Sequence, residues 1–182
     1  MRLSVSLCTL AALAACIGDS DVDVAVAKAI SIVNDTQPEF YSQSIALAQV
    51  DDCDVTLNYV GPIPTGEAGT FAVTTFADMS RLDYENASIE PNLLAQSKGV
   101  LLAIPYTGAP FPQTIRTTDT AVSFQEYVAN TGRGSCVDAT CEMTWEAPHL
   151  LFRIDVNEPE PAAEAILAAL TEVGAACRAT GL

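Results

Sequence analysis

The sequence predicts a single α+β domain. A mostly antiparallel sheet of four to six strands is expected to be covered by a C-terminal helix and by an N-terminal helix. Apolar residues recur at helical spacing near both ends of the 182-residue chain. From Phe40 to Val156 the period shifts towards two, as in half-buried strands. The length suits one domain with a sizeable core, and no repeat or linker divides it.

The N-terminal helix is predicted from residue 22 to 34. Ser20 followed by Asp23 is typical of an N-cap with an acid in the first turn. Val22 and Val26 begin an apolar face that continues through Ala29, Ile30 and Val33. The valines at 22, 24 and 26 also alternate as in a strand, but the alanines favour a helix.

Several segments between the two helices are predicted as strands: 55–59, 71–79, 99–106, the surroundings of Met143 and Trp145, and 150–156. Residues 81–92 are predicted as a connection. The segment 114–128 is ambiguous, because Ile115–Thr117 fits a strand while Ser123 and Glu126 fit the cap of a short helix ending at Gly132. The Tyr106–Phe111 loop is the one that best suits contact with a partner.

The C-terminal helix carries the clearest signal. Asn157 and Glu160 form a capping signature, with Pro159 and Pro161 in the first turn. An apolar stripe follows at spacings of four, three and four: Ile166, Leu170, Val173 and Cys177. Cys177 is therefore expected to face the core.

The charge balance excludes one class of partner. Asp and Glu outnumber Lys and Arg by 23 to 8, which gives a formal net charge of −15. Such a chain repels phosphate backbones, so no nucleic-acid partner is expected. A basic partner or a divalent cation is compatible with this charge.

The first residues of the chain are typical of an export signal. Met1-Arg2 is followed by an uncharged stretch from Leu3 to Ala15, which is too short to span a bilayer. The segment ends in Leu13-Ala14-Ala15-Cys16, which resembles the lipobox of bacterial lipoproteins.

This resemblance implies that residues 1–15 are a signal peptide and that Cys16 is lipidated. Residues 16–21 would then be a short tether for a single domain at 22–182. The expected location is the periplasmic face of the outer membrane. Secretion without a lipid and a cytosolic N-terminal helix are the alternatives.

The other cysteines fit an oxidising compartment. Cys8 would leave with the signal, so four would remain to pair: Cys53, Cys136, Cys141 and Cys177. Four cysteines allow three pairings. We favour Cys136 with Cys141, which closes a tight loop, and Cys53, which is expected on a strand, with the core-facing Cys177. Their spacing does not resemble a zinc site.

No catalytic, metal or cofactor site is predicted. His149 is the only histidine, and no Gly-x-Ser-x-Gly elbow is present. Asp51, Asp52 and Asp54 form an acidic cluster that is interpreted as a solvated turn. The predicted function is a membrane-anchored, non-catalytic module that binds an envelope protein or a small ligand. The alternatives are a small periplasmic carboxylate- or metal-dependent enzyme, and an inhibitor or immunity-type protein that blocks a basic partner.

Overall fold

The structure is a computed structural model that describes residues 20–36, 44–62, 70–92, 99–118 and 122–180. The predicted signal peptide, Cys16 and most of the predicted tether lie outside these ranges. The helices are α1 (Asp21–Asp35), α2 (Val122–Thr131) and α3 (Pro159–Thr180). The strands are β1 (Ser44–Asp51), β2 (Asp54–Pro62), β3 (Thr70–Asp78), β4 (Ser88–Pro91), β5 (Val100–Pro105), β6 (Phe111–Thr118), β7 (Gly134–Val137), β8 (Thr140–Ala147) and β9 (His149–Ile154).

The strands form two antiparallel sheets, so the predicted α+β class is confirmed. The large sheet has the order β1-β2-β3-β6-β8-β7, and the small sheet has the order β4-β5-β9. Strand β8 passes into β9 through Pro148 alone, while residues 106–110 join β5 to β6. The neighbouring strands β5 and β9 of the small sheet are therefore joined by short connections to the neighbouring strands β6 and β8 of the large sheet. These two connections hold the sheets next to each other.

Helix α1 begins where its cap predicts. The Ser20 hydroxyl accepts a hydrogen bond from the Asp23 backbone N–H, and the Asp23 carboxylate accepts one from the Ser20 N–H. The reciprocal pair satisfies two N–H groups that a helix leaves without partners. Val22, Val26, Ala29 and Val33 are buried on one face, as their spacing predicts.

Helix α3 closes the main core. Ile166, Leu170, Val173 and Cys177 are all buried, which confirms the predicted stripe. The helix packs against α1 and against β5 and β9. Cys177 is bonded to Cys53 in the turn between β1 and β2, with 5.8 Å between their Cα atoms. The bond joins residues 124 positions apart, so α3 is fixed to one end of the large sheet.

Helix α2 rests on a separate, smaller core at the other end of the large sheet. Val128 packs there with Cys141 and Met143, and Ile115 and Cys136 contact the cluster. Cys136 and Cys141 are directly opposite one another on β7 and β8 and are bonded, with their Cα atoms 4.0 Å apart. Both pairings favoured by the sequence are present.

Four local expectations need correction. Residues 81–92, predicted as a connection, contain the strand β4. Helix α2 begins at Val122, so Ser123 lies inside its first turn and is not its cap. Helix α3 begins at Pro159, one residue later than the capping signature of Asn157 places its start, and the Glu158 carbonyl accepts from the Ala162 N–H. Cys53, expected on a strand, lies in a turn.

Candidate functional site

An apolar groove of about 250 Å³ lies between the two sheets. We call it the apolar groove. Its floor belongs to the large sheet and consists of Ile45, Leu57, Tyr59, Phe71, Val73, Thr75, Gln113 and Ile115. Its wall belongs to the small sheet and consists of Leu101, Leu151, Phe152 and Arg153.

The floor is built from rows of side chains that cross the large sheet. Tyr59, Val73 and Ile115 are register partners on β2, β3 and β6. Leu57, Thr75 and Gln113 form the next row on the same face. Side chains two residues apart share one face of a strand, so both rows point into the groove.

The polar groups of the floor are largely paired with one another. The Gln113 side-chain amide donates to the Thr75 hydroxyl over 2.9 Å, and Thr75 is only 3% exposed. Burial raises the pKa of the Tyr59 hydroxyl, and the neighbouring Arg153 charge offsets part of that rise. Tyr59 therefore stays neutral at physiological pH, and the floor offers an uncharged surface to a ligand.

One ion pair stands at the end of the wall. The Arg153 Nε atom lies 2.8 Å from a carboxylate oxygen of Asp155, whose side chain is 6% exposed. A Cβ atom at position 99 would collide with that carboxylate and with the Ile154 carbonyl, so Gly99 leaves the space that Asp155 occupies. The charge of Arg153 is thus already matched within the protein.

A second concavity, near the β1–β2 turn, is acidic. It has a volume of about 190 Å³ and is lined by Asp51, Asp52, Cys53, Asp54 and Asp78. Partial burial raises the pKa of Asp54, and the charges of Asp78, Asp51 and Asp52 raise it further. The Asp78 carboxylate is engaged by the Ser80 backbone N–H at 2.9 Å and by the Ser80 hydroxyl.

This acidic concavity is separate from the apolar groove, with which it shares no lining residue. Among the residues that the structure describes, no group of three or more His, Cys, Asp or Glu side chains is placed to hold a metal ion. The cluster is therefore a place where like charges accumulate at a sheet end.

The predicted contact loop, Tyr106–Phe111, is packed by its own aromatic residues and by Arg81. Tyr106 meets Phe111 edge to face, with 4.3 Å between ring centroids, and the Arg81 guanidinium covers the Phe111 ring. Arg81 also donates to the Ala109 carbonyl. These contacts hold the loop against Arg81, which follows β3 in the chain, so the Tyr106 and Phe111 rings contact other groups within the fold.

The other predicted positions fall outside the apolar groove. His149 is half-buried as the first residue of β9, and neither disulfide lines the groove. Tyr59, Phe71 and Leu101 all lie within the predicted strands 55–59, 71–79 and 99–106. One signal was present: Leu151 interrupts the otherwise polar face of its strand, where Arg153 and Asp155 follow.

Comparison with known proteins adds no relative. The chain matches no protein-family model, no curated protein and no solved structure. Within the described part of the chain, no helix is both long and apolar enough to cross a membrane.

Proposed function

We propose that this chain is a membrane-anchored envelope lipoprotein whose single domain is a non-catalytic binding module, and that the apolar groove receives its ligand. The apolar groove is the observation that carries the binding function. Apolar side chains from both sheets converge there, and five of them stay at least partly exposed to solvent, although burying them would be favourable: Phe71, Val73, Leu101, Ile115 and Leu151. Partly open apolar concavities of this kind mark binding surfaces.

The distribution of charge supports binding over catalysis. No acidic side chain of the described residues lines the apolar groove, and the nearby Asp155 carboxylate is paired with Arg153. The acidic cluster lies at the β1–β2 turn. A carboxylate enzyme needs its acids beside the pocket that holds the substrate. The geometry therefore favours the binding module over the carboxylate enzyme.

A neutral fluorescent dye that brightens in apolar surroundings tests the binding function. We expect it to bind the wild-type domain and to bind L151D at least about tenfold more weakly, because a carboxylate in the groove wall opposes apolar contact. V137D is the matched control, since Val137 is a strand residue that is 72% exposed and does not line the groove. Absence of dye binding, or equal binding by both variants, would contradict the proposal.

The anchor rests on the lipobox-like segment ending at Cys16 and is tested by the intact mass of the protein from its native host. We expect an acylated chain that starts at Cys16 and releases four further thiols on reduction. A chain that starts at Met1 with six free thiols would overturn the export and the anchor together. A processed chain without a lipid would overturn the anchor alone.

A further inference from the structure

We propose that the ligand of the apolar groove is an extended peptide segment, which adds to β9 as a fourth strand of the small sheet and places alternate apolar side chains in the groove. This inference rests on the proposed binding function and specifies its ligand. It follows from the backbone of β9, from the position of the groove along that strand, and from the charge of the chain.

Two hydrogen bonds fix which way the β9 backbone points. The Tyr106 N–H donates to the Pro148 carbonyl over 3.2 Å, and the Asn92 N–H donates to the Gly99 carbonyl over 2.9 Å. In an antiparallel pair, hydrogen-bonded and non-bonded positions alternate. We apply this alternation along the register of β4, β5 and β9, starting from each of the two hydrogen bonds. Both give the same result: the backbone groups of Leu150, Phe152 and Ile154 are hydrogen-bonded to β5.

The backbone groups of His149, Leu151 and Arg153 therefore point away from β5, at the edge of the sheet. Strand β9 is the last strand of the small sheet. No backbone hydrogen bond from these three residues to any described residue is present. Leu151, at the centre, is 42% exposed. The edge thus presents three N–H and three C=O groups at two-residue spacing.

The apolar groove runs along this same edge. Leu151, Phe152 and Arg153 are consecutive, so their side chains point to alternating faces of the small sheet, yet all three line the groove. A concavity that touches both faces of a strand borders its edge. A ligand in the groove therefore meets the outward N–H and C=O groups of β9.

An extended peptide is the ligand that satisfies both features. It alone supplies alternating donors and acceptors at the spacing of roughly 6.8 Å that a strand edge requires, and apolar side chains at the same period. The groove volume of about 250 Å³ is below the roughly 300–1,000 Å³ of pockets that enclose drug-sized ligands. It suits a few side chains.

Charge complementarity defines the peptide further. The groove lining is mostly apolar, and its polar residues Tyr59, Thr75 and Gln113 are uncharged. Asp155 already neutralises Arg153, so side chains inside the groove are expected to be apolar. The chain as a whole carries a formal charge of −15, which attracts basic peptides. We expect Lys or Arg at the peptide positions outside the groove.

Titration with a pool of capped octapeptides tests the proposal. Alternate positions carry Val, Leu, Ile or Phe, the others carry Thr or Lys, and binding is followed by calorimetry. Each binding peptide is compared with two versions of itself that are N-methylated at alternate residues, one for each register. We expect one version to bind about 30-fold more weakly and the other to bind normally, because only one loses N–H groups that face β9.

Variants of β9 test the same hydrogen bonds from the protein side. L151P removes the outward N–H without removing a bond to β5, and Pro is tolerated at such edge positions. L151A removes the side chain and keeps the N–H. We expect L151P to bind peptide at least about tenfold more weakly than L151A. The N-methylated peptides give the same information if L151P does not fold.

Each outcome is decisive. Dye binding without binding of any peptide would overturn this inference and leave the proposed function intact, whereas loss of both would overturn both. Equal binding of both N-methylated versions would show that side chains alone fill the groove, and would overturn strand addition. A dimer of this chain that L151P dissolves would assign the edge to a second copy and overturn the peptide.

Discussion

Two strand edges of this molecule, β1 in the large sheet and β9 in the small sheet, are treated in opposite ways. The edge of β1 is covered by α1: the side-chain carbonyl of Asn34 accepts the Leu47 N–H over 2.9 Å. The edge of β9 has no described element over it, and its outward groups are open along the apolar groove. Folded proteins generally protect their sheet edges, because open edges pair with other chains.

The difference separates stability from binding. Helix α1 covers β1 and packs on α3. Helix α3 in turn is fixed to the β1–β2 turn by the Cys53–Cys177 bond. Among the residues that the structure describes, no comparable bond fixes an element over β9. We therefore expect changes at the covered edge to alter the free energy of unfolding, and changes at the open edge to alter binding.

The largest expected effect comes from removing the disulfide behind the covered edge. In the loop-entropy model, replacing Cys53 and Cys177 by Ser lowers the free energy of unfolding by about 5 kcal/mol. The Cys136–Cys141 bond joins residues only five positions apart. Replacing both of these cysteines by Ser should therefore lower the free energy of unfolding by only about 2 kcal/mol. Urea unfolding measures both. Equal losses, or the reverse order, would contradict the role given to the longer bond.

A smaller effect is expected from uncovering β1 directly. N34A leaves the Leu47 N–H without its partner, and we expect a loss of about 1–2 kcal/mol in the free energy of unfolding. D35A, in the same helical turn but exposed, is the control and should change stability little. Dye and peptide binding at β9 should be unchanged in both variants. A loss with N34A no greater than that with D35A would show that the cover contributes nothing.

The smallest effect concerns the acidic turn beside the covered edge. The pKa of Asp54 is raised above its ordinary value of 3.8 in the folded protein, so the charged form of Asp54 is less favourable there than in the unfolded chain. Its destabilising effect is absent well below pH 3.8 and grows as the pH rises through the folded pKa. D54N should therefore stabilise the protein slightly at pH 7 and not at pH 3. Stabilisation that is equal at both values would contradict this assignment.

The sequence predicts best those elements whose signals are local. The capping residues of α1 and the stripe of α3 lie within single helices, so their periodicity is read directly from neighbouring residues. The disulfide pairings follow from one tight loop and from the position of Cys177 on the stripe. Strand β4 escapes prediction because its four residues are too few to show a period.

The apolar groove could not be predicted because it depends on register. Tyr59, Val73 and Ile115 form one row only after three distant strands have paired. The sequence shows alternation within each strand but neither the order of strands nor which strand is last. Leu151 was the available signal: an exposed leucine on a polar face indicates a surface that serves something other than the core.

Amide hydrogen exchange along β9 tests the central claim most directly. In the free protein, the N–H groups of Leu151 and Arg153 should exchange quickly, while those of Phe152 and Ile154, which bond to β5, should exchange slowly. Adding a binding peptide should slow Leu151 and Arg153 selectively. Slow exchange at Leu151 in the free protein, or no change there on peptide binding, would contradict an open edge that receives a strand.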